Sequence, residues 1–172
     1  MPNWCSNQLY VVGKDVDIHK FIIKSSKNDG GNIDPYYDEY DIIESHIPTP
    51  KQNLDNGSWY EWRLANWGCK WSDSETKLVG NTDYPDNIKE LIFDFETPWS
   101  PPIEAFKTIS SMYPKLGFAI FYSEPGMGFE GNAKFVNGEI THEEEREMIA
   151  EIDGISGNFE YEFAEIFETE NK

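Results

Sequence analysis

No run of about 18 consecutive apolar residues occurs in the sequence, so no segment is long enough to cross a bilayer as a helix. Positive charge is scarce: 14 lysines and arginines stand against 32 aspartates and glutamates, a formal charge of −18. That surplus repels phosphate backbones and anionic lipid, which argues against direct binding to a nucleic-acid backbone or a membrane. Cysteine is scarcer still. Cys5 and Cys69 are too few for a structural zinc site by themselves, and in the cytoplasm they are expected to stay thiols. The opening residues Met1 to Cys5 lack a basic segment followed by an apolar one. A secretory signal is therefore not expected, and the cytoplasm is the expected compartment. The chain also lacks H-E-x-x-H, C-x-x-C, P-loop and G-x-S-x-G motifs, and His19, His46 and His142 are scattered without ligand spacing. On these grounds neither a metal nor a cofactor is expected.

Aromatic residues make up 15% of the 172 positions, enough to supply both a core and exposed stacking surfaces. Asn7 to Val12 alternates as a strand does, and Lys14 to Lys27 has apolar residues at helical spacing, closed by Asn28-Asp29-Gly30-Gly31. Asp34 to Tyr40 reads as a loop, Asp41 to Ile47 as a strand, and Trp59 to Trp67 as a short helix ended by Gly68. Trp71 to Asp86 is polar and turn-rich. Glu90 to Glu96 predicts a strand, Ile103 to Tyr113 a helix, and Gly117 to Ser123 and Gly131 to Val136 two further strands. Asn137-Gly138 is the strongest hairpin signal, so Glu139 to Thr141 should pair back. Glu143 to Ile149 suits a helix, and the alternation of Phe159, Tyr161 and Phe163 suits an amphipathic edge strand.

The order strand, helix, strand, then strand, helix, strand predicts an α+β ferredoxin-like sandwich: a mostly antiparallel sheet with helices packed on one face. Residues 1–141 form that domain, and 142–172 form an acidic C-terminal extension on or beside it.

Four segments carry chemistry. Gly126-Met127-Gly128-Phe129-Glu130-Gly131 matches G-x-G-x-x-G, but a strand follows it instead of a helix N-terminus, so a glycine-rich connection is favoured over a dinucleotide site. In Asn66-Trp67-Gly68-Cys69-Lys70-Trp71, the indoles of Trp67 and Trp71 could stack on a nucleotide-like ligand. Lys70 would hold an anion, Asn66 would read an edge, and Trp99 would wall the pocket. For the tryptophans a core role, with Lys70 solvated, is favoured over the pocket; for Asn66 and Lys70 the two readings stand level. Thr97-Pro98-Trp99-Ser100-Pro101-Pro102 joins a strand to a helix, with prolines pre-setting the backbone. Glu96 and Glu124, at strand ends, are weak candidates for acid–base work.

The segments Pro2 to Asn7, Asn66 to Trp71, Thr97 to Pro102 and Tyr122 to Gly131 together resemble the YubB-type family of phages and plasmids, over Met1 to about Thr141. The resemblance implies a ferredoxin-like domain and a mobile-element setting, and implies no activity. In that family a small threonine-like residue stands where this chain has Cys69, which argues against a catalytic thiol.

Composition and setting favour a non-enzymatic accessory protein that binds or inhibits a host factor, in a counter-defence role. Its acidic surface, with Glu143, Glu144, Glu145, Glu160 and Glu162, would imitate nucleic acid and occupy a host protein's basic surface. The alternatives are a binder of, or enzyme on, a small nucleotide-like ligand, and a structural or assembly subunit.

Overall fold

The computed structural model describes residues 1–28, 34 and 38–148. The elements run β1 (Trp4–Lys14), α1 (Asp15–Ser25), α2 (Ile42–His46), α3 (Lys51–Asp55), α4 (Trp59–Trp67), β2 (Ser74–Tyr84), β3 (Ile88–Pro98), α5 (Ile103–Met112), β4 (Gly117–Glu124), β5 (Phe129–Val136) and β6 (Glu139–Glu147). The six strands form one antiparallel sheet in the order β2-β3-β1-β4-β5-β6. Two strand–helix–strand crossovers interleave. β3 lies between β1 and β2, and β1 lies between β3 and β4, which is the ferredoxin-like arrangement expected from the element order. β5 and β6 extend the sheet beyond it.

Strand alternation assigns the two faces. Leu9, Val11, Leu91, Phe93, Phe95, Phe118, Ile120 and Phe135 point toward the helices and meet Ile18 and Phe21 of α1 and Phe106 and Ile109 of α5. Phe21 alone touches Phe93, Phe118 and Tyr113 edge-on. Each such fully buried side chain stabilises by roughly 1.5–3 kcal/mol. On the opposite face a small cluster of Val12, Ala119 and Phe121 with Tyr10 and Ile88 is the apolar part, and among the described residues no helix covers it.

Three expectations are corrected. Asp41 to Ile47 is not a strand; it contains the five-residue helix α2. Asp41 caps it through Glu44 N–H, and the buried Asp73 carboxylate accepts from Ile42 N–H at 3.0 Å and Ile43 N–H at 2.7 Å. That second cap comes from about thirty residues away and leaves no local trace. The stretch Trp71 to Asp86 is not a run of turns; it supplies the edge strand β2. Only Thr76 and Leu78 bury there, while register shifts follow Ser74 and Leu78, with Glu75 at φ +52°. Bulges of this kind blunt an edge strand and mask its alternation.

Glu143 to Ile149 is not helical over its described part. β6 continues to Glu147, with Glu143, Glu144 and Glu145 pairing Ala133, Asn132 and Gly131. The ladder with β5 overrides the helical preference of glutamate, and the boundary drawn after Thr141 falls inside this strand. The Phe159, Tyr161, Phe163 alternation and Glu160 and Glu162 lie outside the described residues.

Candidate functional site

The four segments singled out in the sequence converge on one end of the sheet. Trp99 N–H donates to Asn3 O at 2.9 Å, and Ser100 Oγ donates to Gly68 O at 2.7 Å. Buried Asn7 donates from Nδ2 to Cys5 O at 2.8 Å and to Thr97 Oγ1 at 2.9 Å, and Thr97 Oγ1 in turn donates to Ser100 O. The Asn3 side chain lies against Gly126, where a Cβ would come within 2.5 Å of its Nδ2. These contacts tie the four segments to one another.

The glycine run is explained in the same way. Gly128 takes φ +74° in the β4–β5 turn, and a Cβ on Gly131 would collide with the Tyr122 hydroxyl at 2.5 Å. The run is a strand connection, as the sequence context suggested, and no helix follows it. Glu124 is fully buried and accepts from Gly126 N–H at 2.8 Å and Met127 N–H at 2.6 Å. Each of its two oxygens accepts from the turn. By alternation it shares the helix-side face with Tyr122, whereas Glu96 lies on the uncovered face. The structure does not bring the two carboxylates together.

The tryptophan segment is also divided. Trp67 is wholly buried with Ile43, Cys69 and Ala105, and its Nε1–H donates to Ile47 O at 3.0 Å. Asn66 donates back to Trp62 O within α4. The Arg63 guanidinium sits 4.7 Å from the Trp67 ring and 5.2 Å from Trp59, while its Nε donates to Thr49. Sequence reasoning missed Arg63, although Trp59, Arg63 and Trp67 share one helix face at i, i+4 spacing. Lys70 lies 4.5 Å over Trp71, which is partly exposed. Trp99 is exposed, held at φ +72° in a left-handed conformation that bulky residues rarely adopt.

Trp67 is thus part of the core, while Asn66 bonds within its own helix and Lys70, Trp71 and Trp99 lie at the surface or partly buried. Both thiols are buried. Burial, with Glu124 and Glu145 nearby, pushes Cys5 up to about 12, and burial pushes Cys69 higher still, so neither is a nucleophile at neutral pH.

The uncovered sheet face offers the better site. A groove of about 650 Å³ there is lined by Ser6, Gln8, Lys77, Asp94, Glu96, Phe121, Ser123 and Glu130, among others. Register sets out its floor as one row across four strands. Glu96 pairs Ser6, Ser6 pairs Ser123, and Ser123 pairs Glu130. At about 4.8 Å per strand, the two glutamates stand roughly 14 Å apart with two small hydroxyls between them. The next row holds Lys77, Asp94, Gln8 and Phe121. Gln8 donates to Asp94 at 2.9 Å, Tyr10 donates to Gln8 and packs edge-on against Phe121, and Arg146 pairs Glu130 at 2.7 Å. Glu143 and Glu145 lie on β6, Glu145 accepting from Tyr122 OH, while Glu144 extends the uncovered face beside Asn132. The outward positions Asp94 and Glu96 were readable from period-two alternation; the pairing that sets them beside Ser6 and Ser123 was not.

Strand order, crossovers and one-sided helices define a ferredoxin-like α+β domain whose other, carboxylate-lined sheet face is covered by no described helix. The chain belongs to the family described as the ferredoxin-like domain in Api92-like protein, whose model matches residues 66–170. The matched stretch begins inside α4, so the central strand β1 precedes it. A crystal structure of a protein Api92 from Yersinia pseudotuberculosis is similar at 12% identity and a TM-score of 0.48, covering 89% of this chain and 100% of that one. No curated protein matches this chain.

Proposed function

We propose that this protein is a non-enzymatic binding protein that engages a basic surface on another protein through the uncovered face of its sheet and the acidic β6 edge beside it. The observation that carries this reading is the concentration of Asp94, Glu96, Glu130 and Glu144 on a face that no described helix covers. A formal charge of −18 steers such a face toward cationic partners. The resemblance to a phage and plasmid family supports a host factor as the partner, bound in the host cytoplasm as nucleic acid would be bound, in a counter-defence role.

The reading is tested with a labelled hexalysine peptide followed by fluorescence anisotropy. Affinity should fall steeply from about 50 to about 200 mM salt. It should also fall further in Asp94→Asn/Glu130→Gln than in the charge-matched Asp55→Asn/Glu61→Gln on the exposed side of α3 and α4. Equal losses in the two double variants would remove the sheet face from the reading.

A further inference from the structure

We infer that Asn56 is a site of self-modification, where the neighbouring backbone displaces the side-chain amide, and that the fold withholds the same chemistry from Asn137. The chain has two Asn-Gly pairs, Asn56-Gly57 and Asn137-Gly138, and neither lines the groove of the uncovered face. Glycine has no Cβ to shield its backbone nitrogen, so in both pairs that nitrogen can approach the asparagine carboxamide. At Asn56 the Gly57 nitrogen gives its proton to solvent base and bonds to Cγ. The Cγ–Nδ2 bond breaks and ammonia leaves. Water then opens the five-membered imide at one of its two carbonyls, leaving aspartate or isoaspartate at position 56. Nothing is oxidised or reduced, and water is the only co-reactant.

The surroundings of the two pairs differ. Asn56 and Gly57 are exposed between α3 and α4, and a Cβ placed on Gly57 would meet nothing within 4 Å, so base and water have access. Asn56 Oδ1 accepts from Ser58 N–H at 2.9 Å and from Ser58 Oγ at 2.6 Å, and Asn53 Nδ2 donates to that same hydroxyl at 2.9 Å. Two donors on the carboxamide oxygen draw electrons from Cγ and stabilise the negative charge that attack places on that oxygen. The ring closed by the Ser58 N–H bond also contains both Cγ and the Gly57 nitrogen, which keeps the reacting atoms near each other. Asn137 and Gly138, by contrast, form the β5–β6 turn at φ +48° and +82°. There Gly138 N–H donates at 2.9 Å to Oγ of Ser110, a buried residue of α5, and that hydroxyl donates in turn to Lys107 O. The nitrogen that would attack is held on the helix with its proton in place.

The protein is incubated at mildly alkaline pH, folded or unfolded in guanidinium, and peptide mapping by mass spectrometry follows each asparagine, with isoaspartate separated by its elution. In the folded protein Asn56 should convert at least about tenfold faster than Asn137, whereas in the unfolded chain the two rates should converge. Ser58→Ala should slow Asn56, and Ser110→Ala should speed Asn137, each by about fivefold, the worth of one ordinary hydrogen bond. Hydrogen exchange in the unsubstituted protein gives a check that needs no variant: the Gly138 amide should be protected relative to that of Gly57. Equal rates at the two asparagines in the folded protein would overturn the proposal, as would equal exchange at the two glycines. Rates unchanged by Ser58→Ala and Ser110→Ala would overturn the roles given to these hydroxyls.

Discussion

At the scale of single residues, His46 shows how burial turns an ordinary ring into a pH-dependent part of the core. Its ring stacks on Phe21 at 5.3 Å, Nδ1 lies 2.8 Å from Ile42 O, and Nε2 lies 2.8 Å from Tyr113 OH. A carbonyl only accepts, so Nδ1 carries the proton and Nε2 takes the tyrosine hydroxyl's hydrogen: the neutral ring is fully satisfied. Burial lowers its pKa from 6.5 to about 4, with Lys24 adding to the effect and the Ile42 carbonyl opposing it. The folded state therefore refuses a proton that the unfolded chain accepts. Stability should be flat above the unfolded value, fall as pH drops through the window between 6.5 and about 4, and level off below it. Between pH 7 and pH 5 the loss should be about 2 kcal/mol. Urea unfolding at the two pH values checks this. His46→Gln should lower stability at both but remove most of the difference between them; an unchanged slope in that variant would refute the assignment.

At the scale of elements, the β4–β5 turn depends on one carboxylate. Glu124 supplies acceptors to two successive backbone N–H groups in a buried position, where loss of a charged hydrogen-bond partner typically costs about 1.5–3 kcal/mol. Glu124→Gln should lower unfolding free energy by roughly that amount, because an amide offers one acceptor where two are needed. Glu96→Gln, on the open face, should change it by no more than about 0.5 kcal/mol. Similar urea midpoints for the two variants would contradict this division between a structural glutamate and a recognition glutamate.

The same elements show what a sequence can and cannot declare. α1, α4, α5, β1, β3, β4 and the Asn137-Gly138 hairpin were legible because their periodicity and punctuation are local. α2 was not, because one of its caps is Asp73, brought from a distant segment. β6 was not, because a ladder and not intrinsic preference makes it a strand. For the site, the unusual tryptophans drew attention to a region where Trp67 is core. The groove itself is built from ordinary serines and acids, whose meaning arises only when β1 and β4 set Ser6 beside Ser123.

For the whole molecule, charge acts on folding and on binding with opposite signs. The ion pairs Lys20–Asp17, Lys89–Asp83 and Arg146–Glu130 each include an exposed partner and stabilise little. With a formal charge of −18, repulsion among unpaired carboxylates outweighs them, and it is relieved as the Debye length shrinks from about 14 Å to about 4 Å between 50 and 500 mM sodium chloride. The urea midpoint of the free protein should therefore rise over that range, while affinity for hexalysine falls, since the carboxylates that strain the fold are the ones that attract the peptide. If the midpoint fell with salt, attraction within ion pairs would exceed the repulsion and the surplus charge would carry no folding penalty. If affinity held constant while the midpoint rose, recognition would rest on shape or apolar contact, and the exposed indoles of Trp71 and Trp99, in place of the acidic face, would become the surface to mutate.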